Sequence, residues 1–451
     1  MQDTDQTTKG GTLSLTATVA MGTGVMIGAG IFALTGQIAE LAGPLFPVAF
    51  VVAAAISGLS AYSYIRVSNT WPSAGGIAMV LSKAYGRSTV TAAGSMLMVL
   101  SMIISESLVA RTFGTYTLRL FDVDDTSVLV PVLALGLILF GFVVNIAGNQ
   151  VIGTVSKVAA VLKVGGIVVF AAVTLQAAGF SFESASAGQG ASTGAGGMLA
   201  GIALAILAYK GFTTITNSGG EVEDPHRNVG RAIVISLAVC VVVYLLVAWA
   251  VGSTLTIEQI VEARDYSLAE AARPALGSTS VVFTIVIAII ATASGLLASQ
   301  FSVSRMLAML TDMALIPHRH FGMPGGVRQH TLVYTVVVAG ALAVFFDLSR
   351  IASIGAVFYL VMDIAVHWGV WRHLRDEVEA RGWVPLAAIA ADTIALAAFL
   401  VVKGGDDPLI IVVSVTGVLG IFLFEAAYLR VRGPADGDGA DPVSADSDAA
   451  A

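Results

Sequence analysis

The stretch "AMGTGVMIGAGIF", residues 20–32, places glycines at 22, 24, 28 and 30 in a segment otherwise apolar enough to cross a membrane. Each glycine in a helix interior costs about 1 kcal/mol relative to alanine. Four of them so close together predict a helix that breaks. A break inside a bilayer leaves backbone N–H and C=O groups that lipid cannot satisfy. The stretch therefore predicts either a protein-lined site at the break or a seam where another helix approaches closely.

The rest of the chain supplies the membrane context. Of 451 residues, 56% are hydrophobic and 12% charged, and the mean hydropathy is +0.87. Soluble domains carry about 25% charged residues, so the composition is that of an integral membrane protein. A hydrocarbon core about 30 Å thick takes roughly 20 apolar residues per spanning helix. Twelve such runs follow one another, at 14–39, 44–66, 88–110, 126–148, 152–176, 196–218, 232–253, 279–304, 331–348, 351–371, 384–402 and 408–430. Placing both termini inside puts fourteen lysines and arginines on the cytoplasmic side and six outside, the asymmetry that sets orientation.

The polar start runs straight into a full-length span, so no cleavable leader is expected. Residues 1–13 read as a cytoplasmic lead-in and 431–451 as a disordered acidic tail, "GPADGDGADPVSADSDAAA" being small, acidic and aperiodic. The single cysteine, Cys240, excludes an intramolecular disulfide.

A second interrupted span decides what the first break is for. The sixth run reads "GMLAGIALAILAYKGFTTITNSGGEVEDPHRNVGRAI", with Tyr209, Lys210, Gly211 and Phe212 at its centre. If helices 1–5 and 6–10 repeat each other, spans 1 and 6 correspond. Paired interrupted segments in two halves are the best sequence pointer to a transporter's binding site. Each break offers unpaired N–H groups with a positive dipole end, suited to a carboxylate, and unpaired carbonyls, suited to an ammonium. An α-amino acid carries both.

"GVMIGAGIF", then "AYSYIRVSNTWPSAGG" after the second span, then "YKGFTTITNSGGEVEDPHRNVGRAI" resemble the signatures of the amino acid, polyamine and organocation transporter superfamily. The resemblance runs in order through spans 1 to 10 and is nearest to archaeal proton-coupled amino acid permeases. It implies an all-α membrane protein of twelve transmembrane helices with a five-plus-five inverted repeat, the LeuT-like fold, broken in helices 1 and 6. The repeats would occupy 14–176 and 196–371, with helices 11 and 12 peripheral at 384–430. Carried across, Ile27, Gly28, Ala29 and Gly30 would present N–H groups to the substrate carboxylate. Tyr209, Gly211 and Phe212 would present carbonyls to the amino group and an aromatic lid.

Two lysines interrupt the fifth span. Lys157 lies near the cytoplasmic boundary, where its side chain can snorkel to the interface. Lys163 is more than two turns deeper, where a charge costs about 3 kcal/mol or more unless it meets a cavity or a partner. By its spacing from Asn145, Lys163 matches the lysine that stands in proton-coupled relatives where sodium-coupled ones bind sodium. The resemblance implies an ammonium bonded to carbonyls of the first break near Gly24, with Thr292 and Ser294 of the eighth span as hydroxyl partners. Two expectations follow: a proton exchanged at Lys163 as the site changes sides, or a fixed structural pin.

Lys210 departs from the family pattern. It either faces the pocket, favouring acidic or small substrates, or pairs with Glu106 of span 3 or Asp363 of span 10. "EVEDPHRNVGRAI" reads as a cap for helix 7 or as a cytoplasmic gate whose charges meet Arg66 or Arg305. Histidines 318, 320, 330, 367 and 373 read as solvated loop residues, so neither metal nor cofactor is expected.

The sequence is therefore read as a secondary transporter importing an amino acid across the plasma membrane with a proton. Its partners are the small-molecule substrate, H+ and the bilayer, with no nucleic acid; the sequence leaves the oligomeric state open. An exchanger and a non-transporting amino acid receptor are the alternatives. A nucleotide-binding enzyme is not: "GTGVMIG" interrupts a spanning helix, whereas a dinucleotide loop must follow a strand in a βαβ unit.

Overall fold

The structure is a computed structural model and describes residues 13–73, 75–123, 127–146, 149–180, 194–316 and 327–432. Ten helices in it are long and apolar enough to cross a bilayer. Two shorter apolar ones, Leu15–Gly28 and Gln329–Phe345, lie where the first and ninth spans are expected. In chain order the α-helices are α1 (Leu15–Val25), α2 (Thr35–Ala42), α3 (Phe46–Thr70), α4 (Ile77–Tyr85), α5 (Thr89–Arg119) and α6 (Leu129–Ile146). They continue as α7 (Asn149–Ala177), α8 (Ala195–Tyr209), α9 (Thr213–Thr216), α10 (Pro225–Thr254), α11 (Ile257–Glu262) and α12 (Ser267–Leu276). The last five are α13 (Ser278–Asp312), α14 (Val327–Phe345), α15 (Leu348–Gly369), α16 (Trp383–Asp406) and α17 (Pro408–Arg432).

Both expected breaks are present. After Val25 the backbone widens into a π-helical stretch over Met26–Ile31, passes through a turn, and resumes as α2. After Tyr209 it tightens into a 3-10 turn over Lys210–Phe212 before the four residues of α9. The helix ends follow their local chemistry. Ser14 and Ser88 accept hydrogen bonds from Ala17 N (3.4 Å) and Thr91 N (3.3 Å), each offsetting an orphan donor of the first turn. At the end of α2, Gly43 adopts φ 60°, where a side chain would be strained, and Pro44 turns the chain into α3.

Three elements lay beyond what the hydropathy runs could reveal: α4, α11 and α12, all short helices in connections. Span 3 also runs on to Arg119, because Thr112, Thr115 and Tyr116 stay buried beyond the apolar run. The bundle is ordered around α5 and α13. These two pack together and α5 is nearly enclosed, whereas α17 presents Val412, Val415, Leu419, Leu423 and Phe424 outward. Of the acidic tail, 433–451 lie outside the described residues.

Candidate functional site

The glycines turn out to serve close approach as well as the break. A Cβ on Gly28 would lie 2.7 Å from the Ala291 carbonyl oxygen of α13, and one on Gly295 would lie 3.0 Å from that of Gly24. Helix 1 thus lies directly on the backbone of α13. The two breaks also face each other: a Cβ on Gly211 would meet Met26 N at 2.8 Å, and one on Gly30 would meet the Ala208 carbonyl oxygen at 2.8 Å. Without a hydrophobic drive between helices in lipid, such small-residue contact is what lets backbones pack. Ile27, Tyr209, Gly211 and Phe212 are all buried here, while the side chain of Ala29 lies outside the described residues.

One side chain joins the breaks, and sequence reasoning missed it. The Tyr244 hydroxyl of α10 lies 2.6 Å from the Met26 carbonyl and 3.0 Å from that of Ala208. It serves carbonyl oxygens at the interruption of each helix, the groups that a broken helix strands. Its ring packs on that of Tyr209, with centroids 4.8 Å apart. Within the second break Thr213 Oγ1 donates to the Lys210 carbonyl (2.8 Å), and the Phe212 ring meets the edge of Tyr64 at 5.4 Å.

Lys163 is fully buried, whereas Lys157 is exposed, as a snorkelling residue should be. The Lys163 ammonium lies against the first break, 3.3 Å from where a Cβ on Gly24 would stand. Among the described residues Nζ has no hydrogen-bond partner. Of the expected hydroxyl partners, Thr292 Oγ1 donates to the Ala288 and Ile289 carbonyls (2.7 and 3.1 Å) and Ser294 Oγ to that of Ala291 (3.1 Å), which leaves their oxygen lone pairs as the acceptors an ammonium would use. The Tyr209 hydroxyl is likewise buried and, among the described residues, without a hydrogen-bond partner.

The carboxylate partners expected for Lys210 are not the ones it has. Its Nζ donates to the Ser101 carbonyl (2.8 Å) and hydroxyl (2.7 Å) of α5 and sits 5.7 Å from the centroid of the Tyr359 ring. Glu106 bonds instead to Ser299 (3.3 Å). Asp363 accepts from Ser60 (2.8 Å) and Tyr64. The reason is helical geometry: Glu106 lies five residues beyond Ser101, more than a turn away and on another face.

The histidine reading needs correction too. His330 and His367 are buried, His373 is exposed against Tyr85, and His318 and His320 lie outside the described residues. His367 Nε2 lies 3.4 Å from Asp363 and 3.9 Å from Asp392 of α16, all three at zero exposure. Its Nδ1 meets Ser63 Oγ at 3.0 Å. The ligand-capable atoms of the three lie within 4.8 Å of one another. The Asp363–His367 half of this cluster was legible as an i, i+4 pair in an apolar helix.

Both ends of the bundle are latched. At the N-terminal end Leu13 exchanges backbone bonds with Glu221 (2.8 Å) and Glu223 (2.9 Å), and Arg305 of α13 pairs with Glu221. Arg66 stacks on Tyr62 instead, so of the two expected gate arginines Arg305 is the one engaged. At the opposite end Arg264 bonds to Glu40 (2.7 Å) and Gln37 to Asp265 (2.8 Å). A cavity of about 190 Å³ between α7, α12 and α13, lined by Phe170, Thr174, Ser280 and Thr284 among others, is apolar and separate from both breaks.

Breaking the Arg305–Glu221 latch has a readout in the chain's one thiol. A latch contribution of one or two kcal/mol corresponds to a factor of roughly 5–30 in the open population. Arg305→Ala is expected to speed labelling of the buried Cys240 by a polar maleimide to that extent; an unchanged rate would show that the pair holds nothing shut.

Comparison with known proteins agrees with this geometry. An uncharacterized protein of Methanocaldococcus jannaschii is 27% identical, over 93% of this chain and 95% of its own length. The inner membrane transport protein YbaT of Escherichia coli is 29% identical, over 82% and 85%. Among solved structures, the crystal structure of MhsT in complex with L-phenylalanine aligns with a TM-score of 0.62 at 13% identity, covering 86% of this chain and 97% of that one. The fold is thus LeuT-like. The family model described as amino acid permease matches residues 13–424, and the chain belongs to that family.

Proposed function

We propose that this amino acid permease is a proton-coupled, sodium-independent importer of the plasma membrane, working by alternating access with both termini in the cytoplasm. The observation that carries the reading is the meeting of two broken helices beside a buried, unpartnered lysine. The N–H groups of Ile27, Gly28, Ala29 and Gly30 take the substrate carboxylate. The carbonyls around Tyr209 and Gly211 take the amino group, and Phe212 closes over them. Residues 14–176 and 196–371 act as the two repeats, and helices 1, 2, 6 and 7 rock against 3, 4, 8 and 9.

Lys163 is assigned the coupling role. An unprotonated amine beside Gly24 leaves the first half-helix free to move, and a protonated one draws it toward α13. An inside-negative potential favours each inward charge by about 2.3 kcal/mol per 100 mV, enough to concentrate a zwitterion that enters with one proton.

Uptake of labelled amino acids into sodium-free proteoliposomes tests this, with and without an inward proton gradient. Gradient-stimulated accumulation is expected. Counterflow alone would mean an exchanger, and binding without flux would mean a receptor.

A further inference from the structure

We infer that Lys210 makes this a carrier of acidic amino acids, its ammonium being the counter-ion for the substrate's side-chain carboxylate. The inference rests on the reading of the paired breaks as the substrate site and narrows it to a substrate class.

Three observations combine. First, Lys210 sits in the second break itself, one residue from the Gly211 that touches Met26, so its side chain starts at the meeting point of the two interrupted helices. Second, Lys210 is 4% exposed and the polar partners of its ammonium are neutral: the Ser101 carbonyl and hydroxyl, with the Tyr359 ring beside them. Among the described residues it makes no ion pair. The carboxylates nearest in expectation are engaged elsewhere, Glu106 with Ser299 and Asp363 with Ser60, Tyr64 and His367. Third, Ser101 and Tyr359 come from α5 and α15, elements outside the broken helices. The cation is therefore held beside the junction by helices that do not themselves break, which leaves it a fixed charge at the proposed substrate site.

Burying a cation without an anion is costly, and a matched anion relieves that cost. The α-carboxylate already has the N–H groups of the first break, and the α-amino group has carbonyls. What remains for Lys210 is a second carboxylate on the substrate. Neutral amino acids of the same shape leave the cation uncompensated and are selected against.

The test is competition binding and uptake with two isosteric pairs, L-glutamate against L-glutamine and L-aspartate against L-asparagine, in wild type, Lys210→Met and Lys210→Arg. Wild type is expected to prefer the acid by about tenfold or more, the scale of a hydrogen bond to a charged group. Lys210→Met should erase that preference while still accepting the neutral member, and Lys210→Arg should keep it. Equal handling of acid and amide by wild type would overturn the inference while leaving amino acid transport intact. So would a preference that survives in Lys210→Met. Failure of wild type to bind any of the four, or a panel of other amino acids, would instead overturn the reading of the site on which it rests. Should Lys210→Met fail to fold, the wild-type ratio and Lys210→Arg decide the matter.

Discussion

Replacing Lys163 by methionine is expected to abolish gradient-driven accumulation while leaving substrate counterflow in place. The side chain is at zero exposure and, among the described residues, its Nζ has no hydrogen-bond partner. The neighbouring hydroxyls of Thr292 and Ser294 donate to carbonyls of their own helix. A permanent structural pin would be hydrogen-bonded to acceptors, and among the described residues this ammonium makes no such bond. Methionine fills nearly the same volume without the charge, so the fold should tolerate it or gain from it. The functional loss is large: one charge moving through 100 mV is worth about 2.3 kcal/mol, roughly a fiftyfold accumulation ratio that should fall to unity. Full accumulation by Lys163→Met would remove Lys163 from coupling. Loss of both accumulation and counterflow, with a folded protein, would return it to the role of a pin.

The local features of this site were legible in the sequence and the long-range ones were not. Four glycines beside Met26 and the "YKGF" in span 6 announce interruptions because glycine and a mid-membrane lysine are expensive there whatever they touch. Their partners carry no such mark. Tyr244 is one aromatic residue in an apolar helix, and only the folded chain brings its hydroxyl to Met26 and Ala208. Ser101 looks like any small residue of span 3, so charge complementarity pointed to Glu106 or Asp363 instead. The short helices α4, α11 and α12 escaped for a different reason. They are too short for the hydropathy of a span, and capping chemistry such as the Thr256–Gln259 box marks them only once a loop is examined for it.

The buried cluster of Asp363, His367 and Asp392 yields an asymmetry that a count of charges would not anticipate. Asp363 collects its partners from three elements: Ser60 and Tyr64 on α3 and His367 on its own helix, with Asp392 of α16 beyond. Asp363→Ala would strand the buried Ser60 and Tyr64 hydroxyls and leave His367 Nε2 without its nearer carboxylate. The expected loss is about 3–5 kcal/mol, the cost of breaking a buried network by removing one member. Among the described residues, by contrast, no donor reaches either carboxyl oxygen of Asp392, whose near neighbour is the like-charged Asp363 carboxyl. The approach of Asp392 to His367 is 3.9 Å, too long for a hydrogen bond. Asp392→Leu should therefore be neutral or stabilising, as when unsatisfied buried charge gives way to apolar packing. Thermal unfolding of the two purified variants in the same detergent measures the contrast, and equal destabilisation would refute it. The imidazole explains why the effects cannot be shared evenly. Nδ1 faces Ser63, leaving Nε2 as the one ring nitrogen for two carboxylates. The nearer of them, already fixed by a tyrosine and a serine, is where the network's stability resides.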